Sequence, residues 1–336
     1  MTRSPGRQAH ERLDEDDVRV RPGRSKSRPR SKDRPGHEDA SVGIVIAVDR
    51  GRFTVELDSQ AVIHAVKARE IGRKGIVVGD RVDIVGDLSG DAGSQGRIVR
   101  RRERLSTLRR TADDDDPVER VIVANATQLA VVTAAADPEP STGLIDRAFV
   151  AALDAGISPL LVVTKTDLRP PDQLVDLYAP IDVPVFIVRH GHVPDDLRAQ
   201  LAGEETVLLG HSGVGKSTLV NGLVPDADRV TGHVNAVTGK GRHTSTNVRA
   251  LHLPDGGWIV DTPGIRSFGL AHVDASRVIH AFPDLEAFTA DCPRACSHDE
   301  PECALNAPGV PRERRDSLRR LVRSRLDAGD GFAATN

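Results

Sequence analysis

The nine residues Gly210 to Thr218, GHSGVGKST, constrain this chain more than any other stretch, because they fit G-x-x-x-x-G-K-[ST] and follow an apolar run, Thr206-Val207-Leu208-Leu209. A turn of this composition closes backbone N–H groups around phosphate oxygens. Gly210, His211, Ser212, Gly213, Val214 and Gly215 form the cradle, Lys216 reaches the β- and γ-phosphates, and Ser217 offers Mg²⁺ a hydroxyl beside Thr218. The apolar run reads as a buried strand, and Leu219 onward as a helix whose positive N-terminus faces the same anion. Strand, glycine loop and helix together predict a nucleotide site, whereas an ordinary glycine-rich turn needs neither neighbour.

Two further motifs say which nucleotide. Trp258-Ile259-Val260 is an apolar strand leading into Asp261-Thr262-Pro263-Gly264, where Asp261 can reach Mg²⁺ through water and the Gly264 N–H can contact the γ-phosphate. Upstream, the buried strand Leu160-Leu161-Val162-Val163 ends in Thr164-Lys165-Thr166-Asp167, similar to the guanine-reading N/T-K-x-D box of GTPases. There Asp167 would accept from guanine N1–H and N2–H₂, which adenine does not offer, and Lys165 would stack on the base. In a Ras-like chain this box follows DTPG; here it precedes the P-loop, so the chain reads as a circular permutant. Permutation is physically acceptable because a site is a constellation in space, and domain termini commonly lie close together at the surface.

This order, followed by a Cys/His cluster, resembles the RsgA family (also called YjeQ or YloQ), circularly permuted GTPases of small ribosomal subunit maturation. The likeness runs over roughly residues 41 to 325. Val78-Gly79-Asp80, Val123-Ala124-Asn125 and Gly241-Arg242-His243-Thr244 add to it. The resemblance implies that residues 241–246 form the switch segment, with Thr244 or Thr246 meeting Mg²⁺ and the γ-phosphate. Ile265 stands where Ras-like enzymes place the glutamine that orients water, and an isoleucine cannot do so. Slow intrinsic hydrolysis follows, and the resemblance points to His243 as the catalytic group, alongside Lys216. Two departures bear on the base. Thr164 replaces the usual asparagine, losing an amide able to reach guanine and to brace the P-loop. Val188-Arg189-His190 lies where a small S-A-type segment backing the base is expected.

All three cysteines fall within Asp291 to Cys303, DCPRACSHDEPEC. Cys292, Cys296, His298 and Cys303 make a Cys₃His set suited to one structural, tetrahedral Zn²⁺ with no open position. A disulfide framework is a poor reading of an odd count without a secretory signal. The family spacing is C-x₄-C-x-H-x₅-C; here each of the two longer loops is one residue shorter.

A net charge of −3 does not advertise nucleic-acid binding, but charge is organised in blocks. Residues 1–40 are polar and basic and read as a disordered tail. In 41–112, five alternating segments, Val42 to Val48, Phe53 to Leu57, Val62 to Val66, Val82 to Val85 and Gly96 to Val99, suggest a small barrel. Alternation alone does not separate an OB-fold from an SH3-like barrel; the resemblance favours OB. With Phe53 its one aromatic residue, the barrel lacks a stacking platform, so structured RNA held through phosphates is the better partner. Arg97, Arg100, Arg101, Arg102 and Arg104, with Arg109 and Arg110 beyond them, are the candidate contacts. Asp113 to Asp116 reads as an interdomain linker, 117–275 as the α/β GTPase domain, and 276–336 as a zinc-binding helical module. Its last helix, within Pro311 to Asp327, carries Leu318, Leu321, Val322 and Leu326 at helical spacing and many arginines. The apolar face should pack on the zinc module, leaving arginines for rRNA.

No apolar run approaches a membrane span and no signal-peptide core is present, so a cytoplasmic protein, a monomer, is expected. The fold class is therefore multidomain: an N-terminal all-β OB-type barrel, a central circularly permuted α/β P-loop GTPase domain and a C-terminal zinc-binding helical module. The expected ligands are GTP/GDP, Mg²⁺ and Zn²⁺, and the expected partner is the small ribosomal subunit with its rRNA. A competing reading is a nucleotide-regulated RNA-binding protein whose hydrolysis is incidental, kept open by Ile265. A second is an ATP-dependent enzyme acting on RNA, against which Asp167 argues.

Overall fold

The N-terminal strands alternate buried and exposed residues because each lays one face on a small apolar core. In the computed structural model, which describes residues 37–71, 75–91, 93–111, 118–225, 248–262 and 269–333 apart from the side chains of Glu70 and 325–333, these strands are β1 (Ser41–Asp49), β2 (Arg52–Leu57), β3 (Val62–Lys67), β4 (Arg81–Gly86) and β5 (Gly96–Arg101). They pair in the order β1-β2-β3-β5-β4, and β4 closes back antiparallel on β1. Closure removes the exposed edges that an open sheet would present. Val45, Phe53, Val55, Ile63, Ala65, Val82, Ile84 and Ile98 fill the interior. Arg50 and Gly51, both at positive φ, make the two-residue turn between β1 and β2, whose left-handed pair matches strand twist.

The acidic stretch read as an interdomain linker is flanked by two strands that pair with each other. Its own residues fall outside the described ones, but the strands flanking it, β6 (Thr107–Arg110) and β7 (Arg120–Ala124), pair antiparallel. Leu108 of β6 is fully buried in the core that also holds the helices of the next domain. The chain thus crosses from barrel to ribbon between Arg101 and Thr107.

The seam explains two short motifs. Gly79 donates to Val45 O (2.8 Å) and Ala124 to Val78 O (3.0 Å), while Asn125 Nδ2 donates to Gly79 O (2.7 Å) and Asn125 Oδ1 accepts from Leu105 N (2.8 Å). At Gly79, φ is +87°, and a Cβ would stand 2.0 Å from Ala124 O. Only glycine fits there. Asp80, wholly buried, takes Arg104 through both carboxylate oxygens (2.7 and 2.8 Å).

Beyond the seam, strands alternate with helices: β8 (Gln128–Ala134), α1 (Thr142–Asp154), β9 (Ser158–Thr164), α2 (Asp172–Tyr178), β10 (Val185–Ile187), α3 (Asp195–Leu201), β11 (Glu205–Leu209), α4 (Lys216–Leu223), β12 (Arg249–His252) and β13 (Trp258–Asp261). The strands lie in the order β10-β9-β8-β11-β13-β12. All are parallel except β12, which forms the expected antiparallel hairpin with β13. β8 is buried throughout, as a strand covered on both faces should be. Its alternate residues serve two cores: Leu129 and Val131 pack with α1, and Ala130 and Val132 pack with α3 and α4. Ala47 of β1 pairs with Arg249 of β12, so barrel and central sheet are continuous.

The C-terminal part holds a 3₁₀ helix (Ala275–Ala281), α5 (Pro283–Glu286), the cysteine loop and α6 (Arg312–Ala333). Leu318, Leu321 and Val322 are buried, but in the core shared with α1 as well as with Cys303 and Leu305. The apolar stripe of α6 therefore covers the central domain and not the cysteine loop alone. Arg314 is buried beneath it, between Asp146 (3.3 Å) and Asp284 (3.2 Å), over the ring of Phe282. Among the described residues, no helix is long and apolar enough to cross a membrane.

Candidate functional site

Because β9, β11 and β13 run parallel, their C-terminal ends lie on one edge of the sheet, and each ends in one of the sequence motifs. β11 opens into the glycine loop, β9 into Thr164 to Asp167, and β13 into Asp261. The three motifs, separated and reordered in sequence, therefore meet by topology. Ligands of open parallel sheets bind at this edge.

The loop is shaped by its glycines. Gly213 and Gly215 have φ of +83° and +92°, and a Cβ on Gly210 would stand 2.2 Å from Val132 O. Val214 is buried; Ser212, Ser217 and Thr218 are exposed, and His211 is half-buried. Lys216 starts α4 and lies buried, its Nζ donating to Gly210 O and, at 3.1 Å, to His211 O. Burial lowers its pKa, partly offset by Asp261; burial likewise raises that of Asp261, partly offset by Lys216. Asp261 Oδ1 is buried without a hydrogen-bond partner. A carboxylate oxygen left this way beside a phosphate cradle, with a serine hydroxyl at the helix start, fits a hard divalent cation such as Mg²⁺. Thr262 Oγ1 ties the strand end to Leu208 O at 2.5 Å.

Thr164 corrects the expectation drawn from the missing asparagine. Its hydroxyl lies 2.5 Å from Val214 O and 3.2 Å from Thr133 O, so it still braces the P-loop by donating its one proton to the nearer carbonyl, Val214 O. What is lost is only the amide that could reach a base. Lys165, at φ +54°, donates through Nζ to Asp137 O, and Asp167 Oδ2 lies 3.6 Å from His190 Nδ1. The loop after β8, carrying Asp137 and Pro138, went unnoticed in the sequence because it has no motif. Its place in the sheet between β9 and β11 puts it over both. His243, Thr244, Thr246 and Gly264 lie outside the described residues.

The second constellation closes as its spacing predicts. The donor atoms of Cys292, Cys296, His298 and Cys303 all lie within 4.8 Å of one another. Cys292 Sγ is 3.7 Å from His298 Nδ1 and 3.8 Å from Cys303 Sγ, and Cys303 Sγ is 3.9 Å from that nitrogen. Tetrahedral Zn²⁺ at the usual bond lengths separates its ligands by about 3.8 Å, so the residues fit the metal. Ala295 and His298 adopt φ of +59° and +71°, tight turns that let the shortened loops reach. Arginines of α6 hold the loop from outside: Arg319 Nε donates to His298 O (2.9 Å), and Arg323 clamps Asp299 (2.7 and 2.6 Å). These side chains, expected to face RNA, are engaged within the protein. On the barrel Arg102 and Arg104 are likewise paired, with Asp83 and Asp80.

A sequence profile of the family described as RsgA GTPase matches residues 101–271. The chain belongs to the RsgA GTPase family. A curated relative from Pseudomonas syringae pv. syringae, named small ribosomal subunit biogenesis GTPase RsgA, is 39% identical over 265 residues, covering 74% of this chain and 75% of its own. The crystal structure of YjeQ from Thermotoga maritima superposes with a TM-score of 0.64 at 25% identity, covering 85% of this chain and 98% of that one. YloQ, described as a circularly permuted GTPase, gives 0.62 at 23% identity over 88% and 98%, a likeness of fold. The permuted order read from the RsgA motifs and the sheet order seen here agree.

Proposed function

We propose that this chain hydrolyses GTP to GDP and phosphate and uses the cycle in assembly of the small ribosomal subunit. The observation that carries the reading is the convergence of phosphate loop, cation carboxylate and guanine-type box on one sheet edge, in the permuted order of the RsgA family. The glycine-loop N–H groups and the α4 N-terminus would cradle the β- and γ-phosphates, with Lys216 leaving its two carbonyl partners for phosphate oxygens. Ser217 and Asp261 would hold Mg²⁺, which neutralises charge developing on the phosphates. Asp167 would read guanine N1–H and N2–H₂, and Lys165, propped by Asp137, would flank the base.

With Ile265 unable to orient water, His243 is the catalytic group of this reading, Thr244 or Thr246 completes the γ-phosphate shell, and hydrolysis is slow until a partner completes the site. The relatives named for small ribosomal subunit biogenesis make that subunit the partner. The closed barrel order supports the OB-type reading, and exposed Arg97 on β5 offers an rRNA phosphate a charge. A single-turnover assay tests the reading: saturating small subunits should speed GTP hydrolysis by wild type and not by His243→Ala. An unchanged rate for wild type would refute it.

A further inference from the structure

The segment after β10 departs from the small residues expected behind a guanine base, and its geometry gives the departure a use. Arg189, His190, Gly191 and His192 form a two-residue turn: His192 N donates to Arg189 O at 2.7 Å, and His190 and Gly191 sit at φ +48° and +72°. Such a pair is the left-handed turn that hairpins favour, and histidine takes that conformation only at some strain. The turn is wedged on α4: a Cβ on Gly191 would stand 2.6 Å from Thr218 Cγ2, and one on Gly222 would stand 3.1 Å from Gly191 O. His190 is thereby fixed relative to the phosphate loop, and its Nδ1 lies 3.6 Å from Asp167 Oδ2.

The other cations of the box loop are engaged elsewhere. Lys165 Nζ points to Asp137 O, and Arg169 is held by Glu139 through two contacts of 2.6 Å. Among the described residues, His190 is the basic group placed on Asp167. Thr164 meanwhile spends its hydroxyl on the P-loop and offers the base nothing.

We propose that His190 is a positioning residue for base recognition, its imidazole N–H orienting the Asp167 carboxylate toward guanine N1–H and N2–H₂. The inference rests on the guanine reading above. The pair is screened by water as it stands, with 78% of the His190 side chain exposed, and gains strength when a base covers it.

The test is equilibrium binding of GDP, IDP and ADP to the full-length protein, as wild type, His190→Ala and His190→Asn. At 3.6 Å the contact is an ion-pair distance, longer than a hydrogen bond; drawn in to a charge-assisted hydrogen bond when the base covers it, it sets the expected loss at about tenfold. His190→Ala should weaken GDP by that factor and narrow its margin over IDP, which lacks the N2 amine, with ADP unmoved; His190→Asn, which keeps a donor, should restore most of it. GDP affinity unchanged in His190→Ala, or GDP, IDP and ADP all weakened equally, would overturn the proposal while leaving the guanine reading intact. A wild type that binds ADP as well as GDP would overturn both.

Discussion

Replacing Arg314 by methionine tests whether α6 is anchored to the central domain by a buried charge cluster. The guanidinium is 3% exposed, between Asp146 and Asp284, themselves 2% and 6% exposed. Methionine keeps the stem over the Phe282 ring, 4.4 Å from the guanidinium carbon, but leaves two buried carboxylates without their cation. Removing one partner of such a cluster costs about 3–5 kcal/mol. Asp146 retains donors from Ser317 and Tyr178 (3.0 Å from the latter), and burial already raises its pKa, so it can take a proton instead. The lower end, about 3 kcal/mol, is therefore expected, or about 6–12 °C in melting temperature for a domain of this size. Arg323→Ala, which removes a 60% exposed side chain from Asp299, should cost only about 0.5 kcal/mol. Thermal unfolding followed by far-UV circular dichroism compares the two, and Asp284→Asn added to Arg314→Met should recover part of the loss. A shift below about 2 °C for Arg314→Met, or an equal shift for Arg323→Ala, would refute the assignment of burial as the cause.

Asp146 also carries a pH signature. Burial, its largest influence, raises its pKa above the ordinary range, so the native chain holds that proton to higher pH than the unfolded one. Its contribution is complete below the unfolded value and falls as pH climbs through the raised one, so the stability margin of wild type over Asp146→Asn should shrink with rising pH in melts across that window. Lys216→Ala should weaken GDP by about a hundredfold or more, since it deletes charge-assisted bonds to phosphate, while leaving the melting temperature close to wild type. Asp167→Asn should move base preference from guanine toward xanthine, read as competition by XDP. Metal analysis should find one equivalent of zinc, and its chelation should accelerate amide exchange in Cys292 to Cys303 and in the facing turns of α6, which that loop meets through Arg319 and Arg323. Exchange unchanged by chelation would count against a structural metal.

Much of this was legible because the informative residues have few alternatives. A glycine loop between an apolar strand and a helix, and three thiols and an imidazole within twelve residues, carry their geometry in their spacing. The barrel strands were legible by alternation, but not their order, since the parallel β3–β5 pairing and the return of β4 to β1 leave no local mark. Val118 to Val123 reads as an apolar segment, but its pairing with β6 was missed for a related reason. The two strands are short and flank an acidic run that resembles a linker, and their pairing leaves no local mark in the sequence. The arginines of α6 and of the barrel exit looked like an RNA face because sequence shows charge without partners; Asp80, Asp83, Asp146, Asp284 and Asp299 supply the partners from far along the chain. Thr164 shows the converse, a substitution that looks like a loss and keeps half of the role through a hydroxyl in place of an amide.

The central claim, a guanine-specific hydrolase that works with the small ribosomal subunit, is tested most directly by phosphate release from GTP and from ATP, with and without purified small subunits. Slow release from GTP alone, strong stimulation by the subunits, and little release from ATP in either case are expected. Equal use of ATP, or a GTP rate that the subunits leave unchanged, would contradict the claim.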